Sequence, residues 1–435
     1  VNTVWPGADP SWEPEHEPMT SPSLASAEPV IGSRRSTLAI LCVALSAGAL
    51  WSGPVFRISV AHELGWSQQS VAGAFAIGSL AGIPVALLAG MAADRWGPVR
   101  VLVGGSLLTA LGLLGASLIT DLWQWYFAIV ALALGFKSVS SGASLIASIG
   151  ARRGRSLGTV FGALGLGLTL GPPVMQALID LVGWRWALAL EGAVLVALAA
   201  SATSLSDHAA VAAPRPPAPR RSPEAEDRRS STSAPVLSPP LLLIGFFVGN
   251  VLIGIYDESV YQHAYAYGKS LGLSGAAAAG VIGLVSAAYV GGSVGGGLLS
   301  DLLGRRAVSV AAALLSAVSL LGMAASSAEL LWLWGVLFGV ALGTTLVARS
   351  AAWADAFAGP ALGRNIGLVT PGFSVGAAII TYAGAAWVDA GGMFQLVYVG
   401  AAAAAMGWAL VGGALMRPHP RPEAAAGPRA PHLSS

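Results

Sequence analysis

A lysine in the middle of an apolar run is the residue of this chain best placed to do chemistry. Lys137 lies about 12 residues into the stretch 125–148, some 18 Å from its start at roughly 1.5 Å per helical residue. A central lysine costs about 2.5–3.5 kcal/mol on insertion scales, so its ammonium must face water or a partner. Ser140, Ser141, Ser144 and Ser148 follow at helical spacing and continue a polar stripe on the same side. A stripe of that kind lines a cavity, and a cation in it binds an anion; the plainer alternative is a structural ion pair across a helix bundle. Asp257 and Glu258 are adjacent carboxylates inside the apolar run 241–262, where a shielded carboxylate can load and release a proton. Neighbours on a helix diverge by about 100°, so one of the two is expected to face the cavity. Asn250 and Tyr261 share the face of Asp257. Arg57 either joins the anion site or reaches toward the interface. His263, with Tyr256, Tyr261, Tyr265 and Tyr267, reads as an interfacial aromatic belt, with a proton relay as the alternative.

The elements that must position these groups follow from composition. Hydrophobic residues make up 55% of the chain, charged residues only 10%, and there are 56 glycines, which no soluble domain of this length would carry. Crossing a bilayer takes about 20 apolar residues. Twelve such stretches are present, at roughly 37–59, 71–91, 100–120, 125–148, 157–179, 184–204, 241–262, 275–297, 307–326, 329–349, 366–388 and 393–415. They show no period of two, so they are helices and not barrel strands. The predicted fold is therefore an all-α integral membrane protein of twelve transmembrane helices.

Cation placement orients the chain. Of its 23 Lys and Arg residues, all but Arg57, Lys137, Arg185 and Lys269 fall in tails, even-numbered loops or span ends on one side, Arg349 included. That bias makes both termini cytoplasmic, in a multi-pass protein of the cell (plasma) membrane. Residues 1–36 are polar, Pro-rich and acidic and read as a disordered N-terminal tail, without the basic start of a cleaved signal. Residues 37–204 form one six-helix half, 205–240 a cytoplasmic linker, 241–415 the second half and 416–435 a disordered C-terminal tail. The single Cys42 excludes an internal disulfide and a Cys-rich metal site.

The halves repeat one another. Gly90-x-x-x-Asp94-Arg95-x-Gly97 returns 207 positions later (297 − 90) as Gly297-x-x-x-Asp301-x-x-Gly304-Arg305, and Leu64-Gly65-Trp66-Ser67 returns as Leu271-Gly272-Leu273-Ser274. A parallel repeat in a membrane chain points to a transporter whose halves rock around a central site. Two six-helix halves with this doubled signature resemble the major facilitator superfamily, over roughly 37–415. The resemblance implies that Gly90, Asp94, Arg95 and Gly97, and in the second half Gly297, Asp301, Gly304 and Arg305, hold a cytoplasmic gate. Pro54-Val55-Phe56-Arg57, Gly65-Trp66-Ser67 and Arg153-x-x-Ser156-x-Gly158 are similar to the monocarboxylate-porter and oxalate/formate-exchanger branch. That branch carries Asp and Arg in helix 8, where Tyr289 and Ser293 stand here.

Other chemistries are excluded by context. Gly372-x-Ser374-x-Gly376 matches a nucleophile elbow in letters but sits inside an apolar helical run. Gly167-x-x-x-Gly171-Pro172-Pro173 reads as close helix packing with a kink, and Glu191 as a peripheral residue without a role. No nucleotide-binding loop or metal cluster occurs, so no catalytic residue, metal or cofactor is expected. The partners expected are the lipid bilayer, a small-molecule substrate and protons, with no nucleic acid. The sequence thus predicts a secondary active transporter of a small organic anion, monocarboxylate-like and proton-coupled, with Arg57, Lys137, Ser140, Ser141, Ser144, Asn250 and Tyr261 on substrate and Asp257 and Glu258 on protons. The alternative is proton-driven efflux of a drug or metabolite.

Overall fold

The computed structural model describes residues 34–148, 153–203, 239–357 and 362–416, and every regular element in them is helical. The expected tails and linker lie outside the described residues except at their edges, where Arg34–Ser36 already belong to the first helix and Pro239–Pro240 to the first helix of the second half. In the first half, α1 (Arg34–Trp51) and α2 (Gly53–Leu64) make one span bent by 46°. The expected span over 37–59 is thus a bent one; the bend follows from Pro54, which has no N–H for the preceding turn, and from Ser52, whose hydroxyl donates to the Gly48 carbonyl at 2.7 Å. Next come α3 (Gln68–Trp96), α4 (Pro98–Ser117), α5 (Leu122–Ser148) and α6 (Arg153–Thr203). Gly183, at φ 79 and ψ 161, divides α6 into two spans.

The second half holds α7 (Pro239–Ser270), α8 (Gly275–Leu303), α9 (Arg305–Ala324) and α10 (Leu331–Ala356). A short α11 (Leu362–Val369) and α12 (Pro371–Asp389) form one interrupted span, and α13 (Phe394–Leu415) closes the bundle. Among the described residues nine helices are long and apolar enough to cross a membrane, ten with the bent α1–α2 pair. Dividing α6 at Gly183 and adding the 29-residue α3 gives the twelve spans expected.

The repeat is written into the backbone. The positive-φ residues among those described are all glycines, and they fall into three pairs: Gly65 with Gly272, Gly97 with Gly304, and Gly183 with Gly391. Gly97 (φ 89, ψ 146) and Gly304 (φ 86, ψ 145) occupy a region essentially closed to residues with a Cβ. Ser67 and Ser274 each cap the following helix, their hydroxyls accepting from Ser70 N–H and Ala277 N–H at 3.1 Å. The repeated motif is thus a left-handed helix stop followed by a serine start.

Glycines also set how closely helices cross. A methyl on Gly171 of α6 would sit 2.6 Å from Gly48 Cα of α1, so the expected packing role of the helix-5 glycines holds. The two halves meet along α2 with α7, α3 with α12, and α6 with α8. Six hydrogen bonds join the halves among the described residues. Arg57 Nη1 and Nη2 donate to Gln262 Oε1 and O (3.3 and 2.5 Å), and Tyr265 OH donates to Gln176 Oε1 (2.5 Å). Gln68 and Gln69 N–H donate to the Asp389 carboxylate (3.1 and 2.5 Å), and Gln69 Nε2 donates to Tyr382 OH (2.6 Å). All lie toward the end of the bundle that carries the Gly65, Gly272 and Gly391 turns.

Candidate functional site: a charged cavity between the halves

The α1–α2 break, α3, α5, α7 and α12 enclose a cavity of about 90 Å³. The rings of Trp51, Phe75, Phe136 and Phe373 are part of its wall. Lys137 enters from α5 in the first half; Glu258, Tyr261 and Gln262 enter from α7 in the second. Gly82 makes room for the lysine: a Cβ there would lie 3.2 Å from Lys137 Cγ and Cε, so the stem can run flat along α3. No ion pair links Lys137 to Glu258, although the two charges attract across the cavity.

Glu258 belongs to a hydrogen-bonded chain. Its Oε2 accepts from Gln262 Nε2 at 2.9 Å, and Gln262 in turn takes both Arg57 bonds. Arg57 is only 1% exposed, which settles its position: it is held inside the bundle and does not reach the interface. From α2 to the cavity the order is therefore Arg57, Gln262, Glu258, open space, Lys137. Asp257 points elsewhere. Its Oδ1 is buried without a hydrogen-bond partner, in the electrostatic field of Arg349 and near Tyr289. One carboxylate of the adjacent pair faces the cavity and the other does not, as helix geometry requires.

The remaining expected site residues divide. Tyr261 lines the cavity, its hydroxyl accepting from Ser286 Oγ at 3.4 Å. Ser140 and Ser141 stand half-buried on α5 outside the lining, where Ser79 and Ser374 supply the hydroxyls instead. The side chain of Ser144 lies outside the described residues. Asn250 sits two turns from the cavity, joining Arg349 to the α11–α12 break. His263 and the four nearby tyrosines do not form an interfacial belt: they are 0–5% exposed, with His263 Nε2 3.2 Å from the Ile380 carbonyl. They pack α7 against its neighbours because the stretch 251–268 of this helix has no exposed residue, its exposed apolar side chains Leu241, Ile244 and Val248 lying at the other end.

At the repeated turn, Arg95 stacks over Trp96 at 5.9 Å, and Gly97 supplies the turn. The side chains of Gly90 and Asp94 lie outside the described residues. In the second copy Arg305 pairs with Asp355 and donates to the Ala351 carbonyl at 3.1 Å, tying the start of α9 to the last turns of α10. Gly297 faces Val347 of α10 at ordinary contact distance, and Asp301 is exposed.

Sequence reasoning missed Arg349. It was counted as a cation at the membrane face, yet it is 7% exposed and lies two turns inside α10, its guanidinium 4.8 Å from the Trp353 ring. The signal was there: Ala-Ala-Trp-Ala continues the helix beyond the arginine. Gln262 and Asp389 offered none, since a lone amide at the end of an apolar run and an acid at a loop edge carry no pattern of their own. Glu191, assigned no role, has a buried Oε2 without a partner, beside the Gly48 crossing.

Comparison with known proteins agrees with this architecture. The family profile described as Major Facilitator Superfamily matches residues 37–298 and 264–434. An MFS-type transporter of Gibberella moniliformis is 28% identical over 59% of this chain and 60% of its own length. Human Monocarboxylate transporter 11 is 30% identical over 48% of this chain and 43% of its own. The Fujikurins efflux protein of Gibberella fujikuroi is 25% identical over 69% and 65%. The alignments thus span less than two-thirds of these relatives. Among solved structures, a variant of the nucleoside transporter NupG superposes with a TM-score of 0.68 at 14% identity, over 88% of this chain and 100% of that one. A bacterial homologue of the lysosomal transporter Spinster gives 0.63 at 12%, over 87% and 95%.

Proposed function

We propose, since this chain belongs to the Major Facilitator Superfamily and is a membrane transporter, not an enzyme, that its cargo is a small organic anion moved together with protons. The observation that carries this reading is the pairing of Lys137 and Glu258, contributed by opposite halves to one cavity and left without a direct bond to each other. An anion on Lys137 and a negative charge on Glu258 compete for the same ammonium. Protonation of Glu258 frees Lys137 for the carboxylate, and loss of that proton helps expel it. Arg57 and Gln262 hold Glu258 in place from the far side. Tyr261 and Ser374 supply hydrogen bonds to the cargo, and Ser140 and Ser141 line its route. Asp257 is the reserve proton carrier.

A cavity of about 90 Å³ suits a carboxylate of a few carbons, since drug-sized pockets run to roughly 300–1,000 Å³. Alternating access follows from rocking of the halves, with Gly90, Asp94, Arg95 and Gly97 and their counterparts Gly297, Asp301, Gly304 and Arg305 working the gate at the terminal end. That gate faces the cytoplasm of a plasma membrane, with both termini inside, on the cation bias.

The test is uptake of a labelled carboxylate panel into proteoliposomes with and without an imposed pH gradient. Accumulation of a short monocarboxylate that follows the gradient is expected. Accumulation of none of the panel, under either condition, would sink the anion reading. The aromatic wall favours one rival, proton-driven efflux of an amphipathic solute, which also fits the similarity to an efflux protein. A lipophilic cation expelled against its gradient, with no carboxylate flux, would establish it instead.

A further inference from the structure

The carboxylate that faces the cavity has two unlike oxygens. Glu258 Oε2 accepts from Gln262 Nε2 at 2.9 Å, one turn further along α7. Glu258 Oε1 makes no hydrogen bond among the described residues, and it is not sealed as Asp257 Oδ1 is, so it borders the open space of the cavity. Only one of these oxygens can take the proton that the acid form carries.

An arginine decides which. The Gln262 amide could turn either way, since its oxygen and nitrogen have nearly the same shape. Arg57 has donors and no acceptor. Its Nη1 donates to Gln262 Oε1 at 3.3 Å and its Nη2 to the Gln262 backbone carbonyl at 2.5 Å, while its Nε is buried without a partner. Turning the amide over would set N–H against N–H at Arg57 and oxygen against oxygen at Glu258. The amide oxygen is therefore held toward α2 and the amide N–H toward Glu258. A proton placed on Oε2 would give up that bond, whereas a proton on Oε1 gives up none.

The other charged or titratable groups around Glu258 do not compete for this role. Lys137 reaches the cavity from α5, and Asp257, Tyr261 and His263 share α7 with it. His263 turns to the Ile380 carbonyl of α12, Tyr289 of α8 lies with Asp257, and Tyr398 of α13 packs on Tyr267. From α1, α3 and α12 the cavity receives Trp51, Ser79, Ser374 and apolar side chains, none of which titrates.

We propose that Arg57 and Gln262 are positioning residues that reserve Glu258 Oε2 as an acceptor and leave Oε1 as the oxygen on which the exchanging proton is loaded from the cavity and released to it. The proton comes from water in the cavity and returns there, so the step needs no other reactant. Neither residue touches the cargo, because the cation of α2 acts through an amide. The inference rests on the reading of Glu258 as the proton carrier and not on the identity of the cargo.

Infrared difference spectra of the full chain in detergent, taken between alkaline and acid solution, isolate the carboxylic C=O band that Glu258→Gln removes. In the parental protein this carbonyl is Oε2, its stretch lowered by the Gln262 N–H. Gln262→Met removes the donor and should move the band to higher wavenumber. Arg57→Met keeps Gln262 but frees its amide to turn, and should broaden or split the band; a purely structural role for Arg57 would leave it sharp and unmoved. The double variant Arg57→Met with Gln262→Met leaves no buried guanidinium unsatisfied, which favours folding, and should place the band where Gln262→Met alone does. A band at the parental position in either Gln262 variant would overturn the proposal alone. Absence of any band that Glu258→Gln removes would overturn the reading of Glu258 as proton carrier along with it.

Discussion

At the scale of single residues, the cavity turns on one carboxylate that faces it and one that does not. Glu258→Gln keeps the shape and the bond to Gln262 but removes the proton that must move, so it should abolish accumulation driven by a pH gradient while leaving carboxylate exchange intact. Asp257→Asn, whose carboxylate points away from the cavity, should change accumulation less than twofold. Paired uptake and exchange assays on both variants decide the point, and equal behaviour would take the coupling role from Glu258. Lys137→Ala should abolish anion binding with expression unaffected, measured by titration in detergent; binding at parental affinity would return Lys137 to a packing role. These charges could be found in the sequence because an ion within an apolar run is costly wherever it points. Their partners could not. Gln262 bridges Arg57 and Glu258 only because α2 and α7 meet across the two halves, and no local pattern encodes that meeting. Arg349 was hidden for a different reason: it stands near the end of an apolar run, where a cation ordinarily marks the interface.

At the scale of elements, spans were legible and their interruptions less so. Length and apolarity set the number of crossings, since the hydrocarbon thickness allows little choice. The breaks at Ser52 and Thr370 depend on how Pro54 and Pro371 are absorbed. Prolines at Pro84 of α3 and Pro172 and Pro173 of α6 stay inside helices. At each break a side chain donates to a carbonyl, Ser52 to Gly48 and Asn250 to Val369. The glycine turns carry a sharper demand. Gly97→Ala or Gly304→Ala forces a Cβ into a region that costs on the order of 1–3 kcal/mol, at Gly97 without any steric neighbour to blame. Each should lower the midpoint of thermal unfolding in detergent, whereas Gly104→Ala, a glycine within α4 that also faces open space, should not.

At the scale of the whole molecule, the repeat was readable from motifs at a shift of 207, and the paired glycine turns explain why those motifs persist in both halves. Nothing in the sequence foretold that the bonds between halves gather at one end, because Gln68, Gln69 and Asp389 look like ordinary loop residues. Six such bonds, at roughly 1 kcal/mol net apiece, place the opened form of that end on the order of 10,000-fold below the closed one before any contact made at the opposite end is set against it. Apparent affinity for a ligand scales with the fraction of molecules able to receive it. The same cargo should therefore look weakly bound when presented from the Asp389 face and tightly bound from the terminal face, although it occupies one cavity. In oriented vesicles, Asp389→Asn and Gln69→Ala should each narrow that ratio by about fivefold per bond removed. The protein would then behave as a rectifier whose sidedness resides in its lip, not in its binding pocket.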